Sequence, residues 1–187
     1  MGVACGIAGE GMDEIKRTVG IVMPLGSQQG GAEALLRHLL RHGSERFRLV
    51  LAFFQEGVMV EEARQLGYDT VVIPTTHLSS VGNYLKSVLA LRRWIRTRKV
   101  DVVFSWMPKA HLYAGPASFG LRTKKIWYQH GVPEGDPLDR IATRLPADAV
   151  LCCSKTSRAY QGRLTPKRRT MVSYPGIAGT DGGSFEG

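Results

Sequence analysis

The side chains of this chain best able to do chemistry gather in three short segments, each following an apolar run. The first is Pro24-Leu25-Gly26-Ser27-Gln28-Gln29-Gly30-Gly31-Ala32-Glu33. Its paired glycines, Gly30 and Gly31, let the backbone come close to a ligand, and the free N–H groups of a helix start attract anions. Gly26 and Gly31 have the Walker spacing, but Ala32 and Glu33 stand where Lys and Ser or Thr are required, so this is no P-loop. The Gly-x-Gly-x-x-Gly fingerprint is absent too, which argues against a classical NAD site. What remains is a Gly-Gly-x-Glu turn. It reads equally as a ligand loop or as a glycine turn with Glu33 favoured by the helix dipole.

The second segment is Tyr128-Gln129-His130-Gly131-Val132-Pro133-Glu134-Gly135-Asp136. A histidine at a strand end, followed by glycine, can donate to a developing negative charge or exchange a proton near neutral pH. Asp136 before Pro137 reads as a helix cap rather than a catalytic acid; Glu134 is left open between the two. In the third, Ser105-Trp106-Met107-Pro108-Lys109-Ala110-His111, a serine and a lysine are suited to hold a sugar hydroxyl and a phosphate. The competing reading makes Trp106 and Met107 simple caps on the core. His38 and His42 stand one helical turn apart, but the Glu of His-Glu-x-x-His is missing, and no metal site is expected. No Gly-x-Ser-x-Gly elbow occurs.

Those segments need a scaffold, and the apolar pattern supplies one. Strands are predicted at 19–23, 47–54, 70–73, 101–105, 125–129 and 149–152, with a short one over 169–173. Helices are predicted between them: 31–42 closed by Gly43, 58–66, 83–97, 109–119, one opening at Asp136-Pro137, and 154–162. The helix over 83–97 is expected to turn Leu85, Val88, Leu89 and Ile95 to one side, with Arg92 interrupting that stripe. Continuously apolar strands alternating with helices mean an α/β fold: a doubly wound, Rossmann-like, mostly parallel sheet with helices on both faces. Its site belongs at the carboxyl ends of the strands. Residues 1–17 carry no period and are expected to be a flexible leader; 18–177 form the domain; 178–187 read as a glycine-rich tail or cut linker.

With 187 residues, 43% hydrophobic and 22% charged, the chain is long and apolar enough for a single core. No apolar run reaches the roughly 18 residues a spanning helix needs. The start lacks the basic residue of a signal peptide, and Gly6 stands where a myristoylation motif wants Ser or Thr. Cys5, Cys152 and Cys153 make no disulfide framework; Cys152 and Cys153, as strand neighbours, point to opposite faces. A cytoplasmic setting is expected. The net charge of +9 implies an anionic partner, with Arg92 to Lys99 and Lys167-Arg168-Arg169 as the dominant clusters.

Taken in order, these segments resemble the amino-terminal domain of family-4, GT-B-fold glycosyltransferases. The likeness rests on Gly30-Gly31-Ala32-Glu33, Asp101-Val102-Val103-Phe104-Ser105, the His130-Gly131 turn, Ala147 to Ser154, and Val172-Ser173-Tyr174-Pro175-Gly176-Ile177. It implies an acceptor-binding half of a two-domain enzyme, whose other half binds a nucleotide-sugar; transfer would be retaining and metal-free, with no cofactor beyond that co-substrate. His130 would sit beside the reacting sugar, and Gly30, Gly31, Ser105, Lys109, Gln129, Glu134 and Ser154 would touch substrate. The acceptor would be lipid-linked, a glycan or another hydroxyl compound, reached from the inner membrane face through the basic helix bearing Arg92, Arg93 and Arg96. That family's second domain carries two glutamates eight residues apart, and no such pair occurs here. The expectation is therefore half an enzyme, inactive alone. The alternative is a non-catalytic Rossmann-like module whose basic face binds anionic lipid or a partner protein; nucleic acid is the weaker version, because no RNA-binding aromatic signature is present.

Overall fold

The computed structural model describes residues 16–27, 30–43, 46–75, 80–165 and 167–176. The expected leader lies outside them apart from Lys16 and Arg17, and the expected tail lies outside them entirely. In chain order the elements are β1 (Arg17–Met23), α1 (Gly31–His42), β2 (Phe47–Phe53), α2 (Val58–Gln65), β3 (Asp69–Val72) and α3 (Val81–Thr97). There follow β4 (Val102–Trp106), α4 (Pro108–Ala117), β5 (Lys124–Gln129), α5 (Pro137–Arg144), β6 (Ala149–Cys152), α6 (Lys155–Leu164) and β7 (Thr170–Val172).

The strands form one sheet in the order β3-β2-β1-β4-β5-β6-β7, with every neighbouring pair parallel. Successive side chains on a strand face opposite ways, and the core divides accordingly. Ile21, Met23, Leu51 and Phe53 pack beneath α1 and α2, against Leu36, Leu40, Met59 and Val60. Val22, Val50, Ala52, Val103 and Trp127 face the other way, against Leu91, Trp94 and Ile95 of α3, Tyr113 and Ala114 of α4, and Ala142 of α5. Cys152 belongs to the second layer and Cys153 packs on the first, so the adjacent thiols do face apart.

Local signals place the helix ends. Gly43 takes φ 65° and donates its N–H to Leu39 O, closing α1. Asp136 accepts the Asp139 N–H at 2.7 Å, with Pro137 at the first helical position of α5. Helix α3 departs from expectation. Val88, Leu91, Trp94 and Ile95 are buried, whereas Leu85 and Leu89 are exposed with Val81. Arg92 is no random interruption of the stripe: it donates Nη1 to Ala117 O at 3.1 Å and Phe119 O at 2.6 Å, capping the end of α4.

Candidate functional site

The strand order runs outward in both directions from β1 and β4, so helices leave to opposite faces there and a crevice opens at the carboxyl ends. A cleft of about 920 Å3 occupies it. The loops that follow β1, β4, β5, β6 and β7 all reach it, through Leu25, Met107, His130, Cys153 and Pro175. The amino-terminal turn of α1 forms the facing wall.

Three glycines lie bare along this cleft. A Cβ built on Gly31 or Gly131 would meet nothing within 4 Å, and one on Gly30 only Glu33 Oε2 at 3.4 Å. Gly30 has an extended backbone, φ −163°, which any residue adopts. Nor do Gly31 and Gly131 take the positive φ that favours glycine. Neither packing nor backbone requires glycine at any of the three. Contrast the loop beside them, where a Cβ on Gly26 would strike Gln55 O and one on Gly57 would strike Gly26 O. Those two glycines let the β1–α1 and β2–α2 connections touch, joined by Met59 N–H donating to Gly26 O at 2.9 Å.

His130 is held by what surrounds it. Its ring lies 4.1 Å from Tyr128 and 5.0 Å from Trp106, centroid to centroid. Tyr128 donates its hydroxyl to Ser173 O at 2.8 Å, and Trp106 donates Nε1 to Ala32 O at 3.0 Å, tying the first turn of α1 to β4. The backbone is pinned as well: Cys153 Sγ donates to His130 O at 2.9 Å, and Ser157 Oγ to Gly131 O at 2.7 Å. Burial pushes the imidazole pKa down to about 4. The ring is thus neutral at pH 7, with a buried Nε2 that has no hydrogen-bond partner among the described residues. A neutral imidazole has one donor and one acceptor nitrogen. It is suited to hydrogen bonding, and proton exchange at neutral pH would need a pKa nearer 7.

Gly30, Gly31 and His130 therefore converge on one cleft. The other expected site residues stand outside its lining. Ser105 is buried, 3.4 Å from His111 Nδ1, and Gln129 is buried in β5. Lys109 is exposed in the first turn of α4, and Glu134 is exposed between β5 and α5. Ser154 caps α6 by accepting the Ser157 N–H at 3.0 Å.

Met107 and the outer face of α1 were not foreseen. Met107 takes φ 83°, ψ 157°, a conformation that costs a residue with a Cβ about 1–3 kcal/mol, and its side chain lines the cleft. No residue pattern announces that geometry. The face of α1 was readable, since Arg37, His38, Arg41 and His42 recur at helical spacing after the glycine pair. Arg37 and Arg41 both bind Glu62, at 2.6 and 2.8 Å, and hold its carboxyl below the ordinary range.

A half-domain of this topology, with a glycine-lined cleft at its switch point, is the class of structure found in GT-B glycosyltransferases. The chain belongs to Glycosyltransferase Family 4, whose model matches residues 29–178. No curated protein sequence matches it. Among solved structures it is similar to Anabaena HepE in complex with UDP, at TM-score 0.68 and 19% identity over 86% of this chain and 44% of that one. It is also similar to the lipopolysaccharide outer core galactosyltransferase WaaB, at TM-score 0.64 and 17% identity over 79% and 42% of the two chains. Acinetobacter baumannii MurG gives TM-score 0.62 and 15% identity over 88% and 47%. The chain spans less than half the length of each of these proteins. At such identities the likeness is one of fold. The expected resemblance to the amino-terminal half of a GT-B enzyme holds, as does the Rossmann-like architecture, with the sheet parallel throughout.

Proposed function

We infer that this chain supplies the acceptor side of a glycosyltransferase cleft, working with a donor-binding domain or partner subunit that holds a nucleotide-sugar. The observation that carries the reading is the bareness of Gly30, Gly31 and Gly131 on the cleft wall beside His130. Glycine at a helix start has an entropic cost that no internal contact here repays. A ligand approaching the main chain would, and exposed N–H groups at the start of α1 favour one with negative charge or hydroxyl oxygens. His130 then serves as a positioned, uncharged hydrogen-bond donor to the reacting sugar, strengthened by the low polarity that keeps it neutral. The acceptor is a lipid-linked or glycan hydroxyl, and the setting is cytoplasmic. HepE is described in complex with UDP and with UDP-glucose, which supports a uridine nucleotide-sugar as donor.

Titration of the chain with UDP-, GDP- and ADP-sugars tests the division of labour. Binding weaker than millimolar is expected, and tight binding of any of them overturns the assignment of the donor to a separate domain. In the two-domain enzyme, His130→Ala should lower turnover about 10²-fold, the usual cost of one transition-state donor. Unchanged turnover with an intact fold would remove His130 from the reaction.

A further inference from the structure

The net charge of +9 is unevenly distributed. At the amino ends of β6 and β7, the opposite end of the sheet from the cleft, a pocket of about 550 Å3 opens between the last turns of α5 and α6. Arg140, Arg144, Lys167, Arg168 and Arg169 line it, with Asp148 as the one lining carboxylate. Asp148 is already committed to Lys125, accepting its N–H at 2.7 Å and lying 3.9 Å from its Nζ.

Other arginines of this protein find acids: Arg37 and Arg41 on Glu62, Arg64 on Glu56 and Glu61, Arg48 and Arg98 on Asp69. Among the described residues none of the five pocket cations has a carboxylate partner. Two are fixed by main-chain carbonyls. Arg140 Nε donates to Gly135 O at 2.8 Å, and Arg168 Nη1 donates to Leu145 O at 2.7 Å. A guanidinium carries five N–H donors in a planar fork, so one such bond orients the group and leaves it able to grip an oxyanion.

Helix dipoles account for part of this. Helices α5 and α6 end here, and a cation near a helix carboxyl end gains about 0.3–1 kcal/mol. That gain does not require five cations to converge on one concavity, where their mutual repulsion opposes it. An anion in the pocket would convert the repulsion into attraction.

We propose that this pocket is a binding site for a multiply charged phosphoryl anion, a pyrophosphate-like group, gripped by Arg140, Arg144, Lys167, Arg168 and Arg169. The group belongs either to a soluble phosphoanhydride or to a lipid headgroup, and the chemistry of capture is the same. The proposal is independent of the role assigned to the cleft.

The test is a calorimetric titration of the chain with inorganic pyrophosphate at low salt. The pocket variant is Lys167→Gln with Arg169→Gln; the control, Arg93→Gln with Arg96→Gln, removes the same charge from α3. Binding at one site is expected, weakened tenfold or more in the pocket variant and within twofold of the parent in the control. Equal losses in the two variants would mean diffuse attraction and overturn the proposal, as would the absence of binding by the parent. Should the double variant melt early, Arg144→Gln alone carries the same expectation of weakened binding. Vesicles of phosphatidic acid, whose phosphomonoester can ionise twice, then identify the source, with the Arg93→Gln, Arg96→Gln protein used so that α3 does not contribute. Displacement of bound vesicles by pyrophosphate assigns the pocket to a headgroup, and vesicle binding indifferent to pyrophosphate assigns it to a soluble anion.

Discussion

A glycine can be demanded by its neighbours or by something outside the chain, and the loops at the carboxyl end of this sheet hold both kinds. Gly26 and Gly57 are demanded from within, because a side chain on either would collide with the backbone of the other's loop. Gly30, Gly31 and Gly131 are not. The difference is measurable by urea denaturation. Gly57→Ala should cost about 1–3 kcal/mol, the range for overpacking, because the atoms it meets are main chain and cannot swing aside. Gly31→Ala, at the first position of α1, should leave stability unchanged or raise it by about 0.5–1 kcal/mol. In the two-domain enzyme the same Gly31→Ala should nonetheless raise the acceptor KM. A loss of stability in Gly31→Ala comparable to that in Gly57→Ala would show that the fold itself needs this glycine. Sequence showed both sets only as glycine-rich turns, since what a missing Cβ would strike depends on a neighbouring loop.

At the scale of elements, the packing of α4 on β4 and β5 buries a histidine and so adds to the acid sensitivity of the fold. His111 of α4 is buried, its ring stacked on Trp127 at 5.0 Å between centroids and 5° between planes. Burial, helped by the nearby positive charge of Arg168, pushes its pKa down to about 3, and burial takes His130 to about 4. Both folded values lie below the ordinary 6.5 of an unfolded histidine, so between these limits the unfolded chain binds more protons. Stability is therefore fully present above pH 6.5 and falls as the pH drops through 6 toward 4. His111→Phe keeps the stacked ring and removes a Nε2 that has no partner among the described residues. Its melting temperature should fall less between pH 7 and pH 4.5 than that of the parent; an identical decline would place the sensitivity elsewhere. Strands and helix caps were legible because each rests on local chemistry, as the Asp136-Pro137 start of α5 does. Helix α3 was misread for a complementary reason. Val81, Leu85 and Leu89 lie beside Val88 on the helix surface, and periodicity alone cannot say where the neighbours stop covering an apolar arc. The candidate site was legible only where backbone chemistry made it, at Gly30, Gly31 and His130. Ser105 was placed by its strand-end position, but alternation along β4 turns it inward toward His111.

On the scale of the whole molecule, α3 carries an apolar face that the sheet does not cover. Along α3, Val81, Leu85 and Leu89 are 67%, 52% and 63% exposed, and exposed Arg93 and Arg96 continue beyond them. No helix among the described residues is long and apolar enough to cross a membrane. An apolar stripe beside basic residues instead suits the interface of an anionic bilayer, where each surface cation contributes about 1 kcal/mol. The expected role of Arg92 divides here from that of its neighbours, because its guanidinium is engaged with α4. If α3 docks on such a bilayer, co-sedimentation with phosphatidylglycerol vesicles should fall about tenfold on Leu85→Ser with Leu89→Ser. It should also fall, with a shallower salt dependence, on Arg93→Gln with Arg96→Gln. Arg92→Gln should leave vesicle binding nearly intact and lower the melting temperature, since Ala117 O and Phe119 O each lose a charged donor. If Arg92→Gln weakened vesicle binding as much as the other pair while melting normally, the capping role would fail and the basic run would act as one undivided patch. If the serine pair bound vesicles like the parent, contact would be electrostatic alone and the apolar stripe would need another partner.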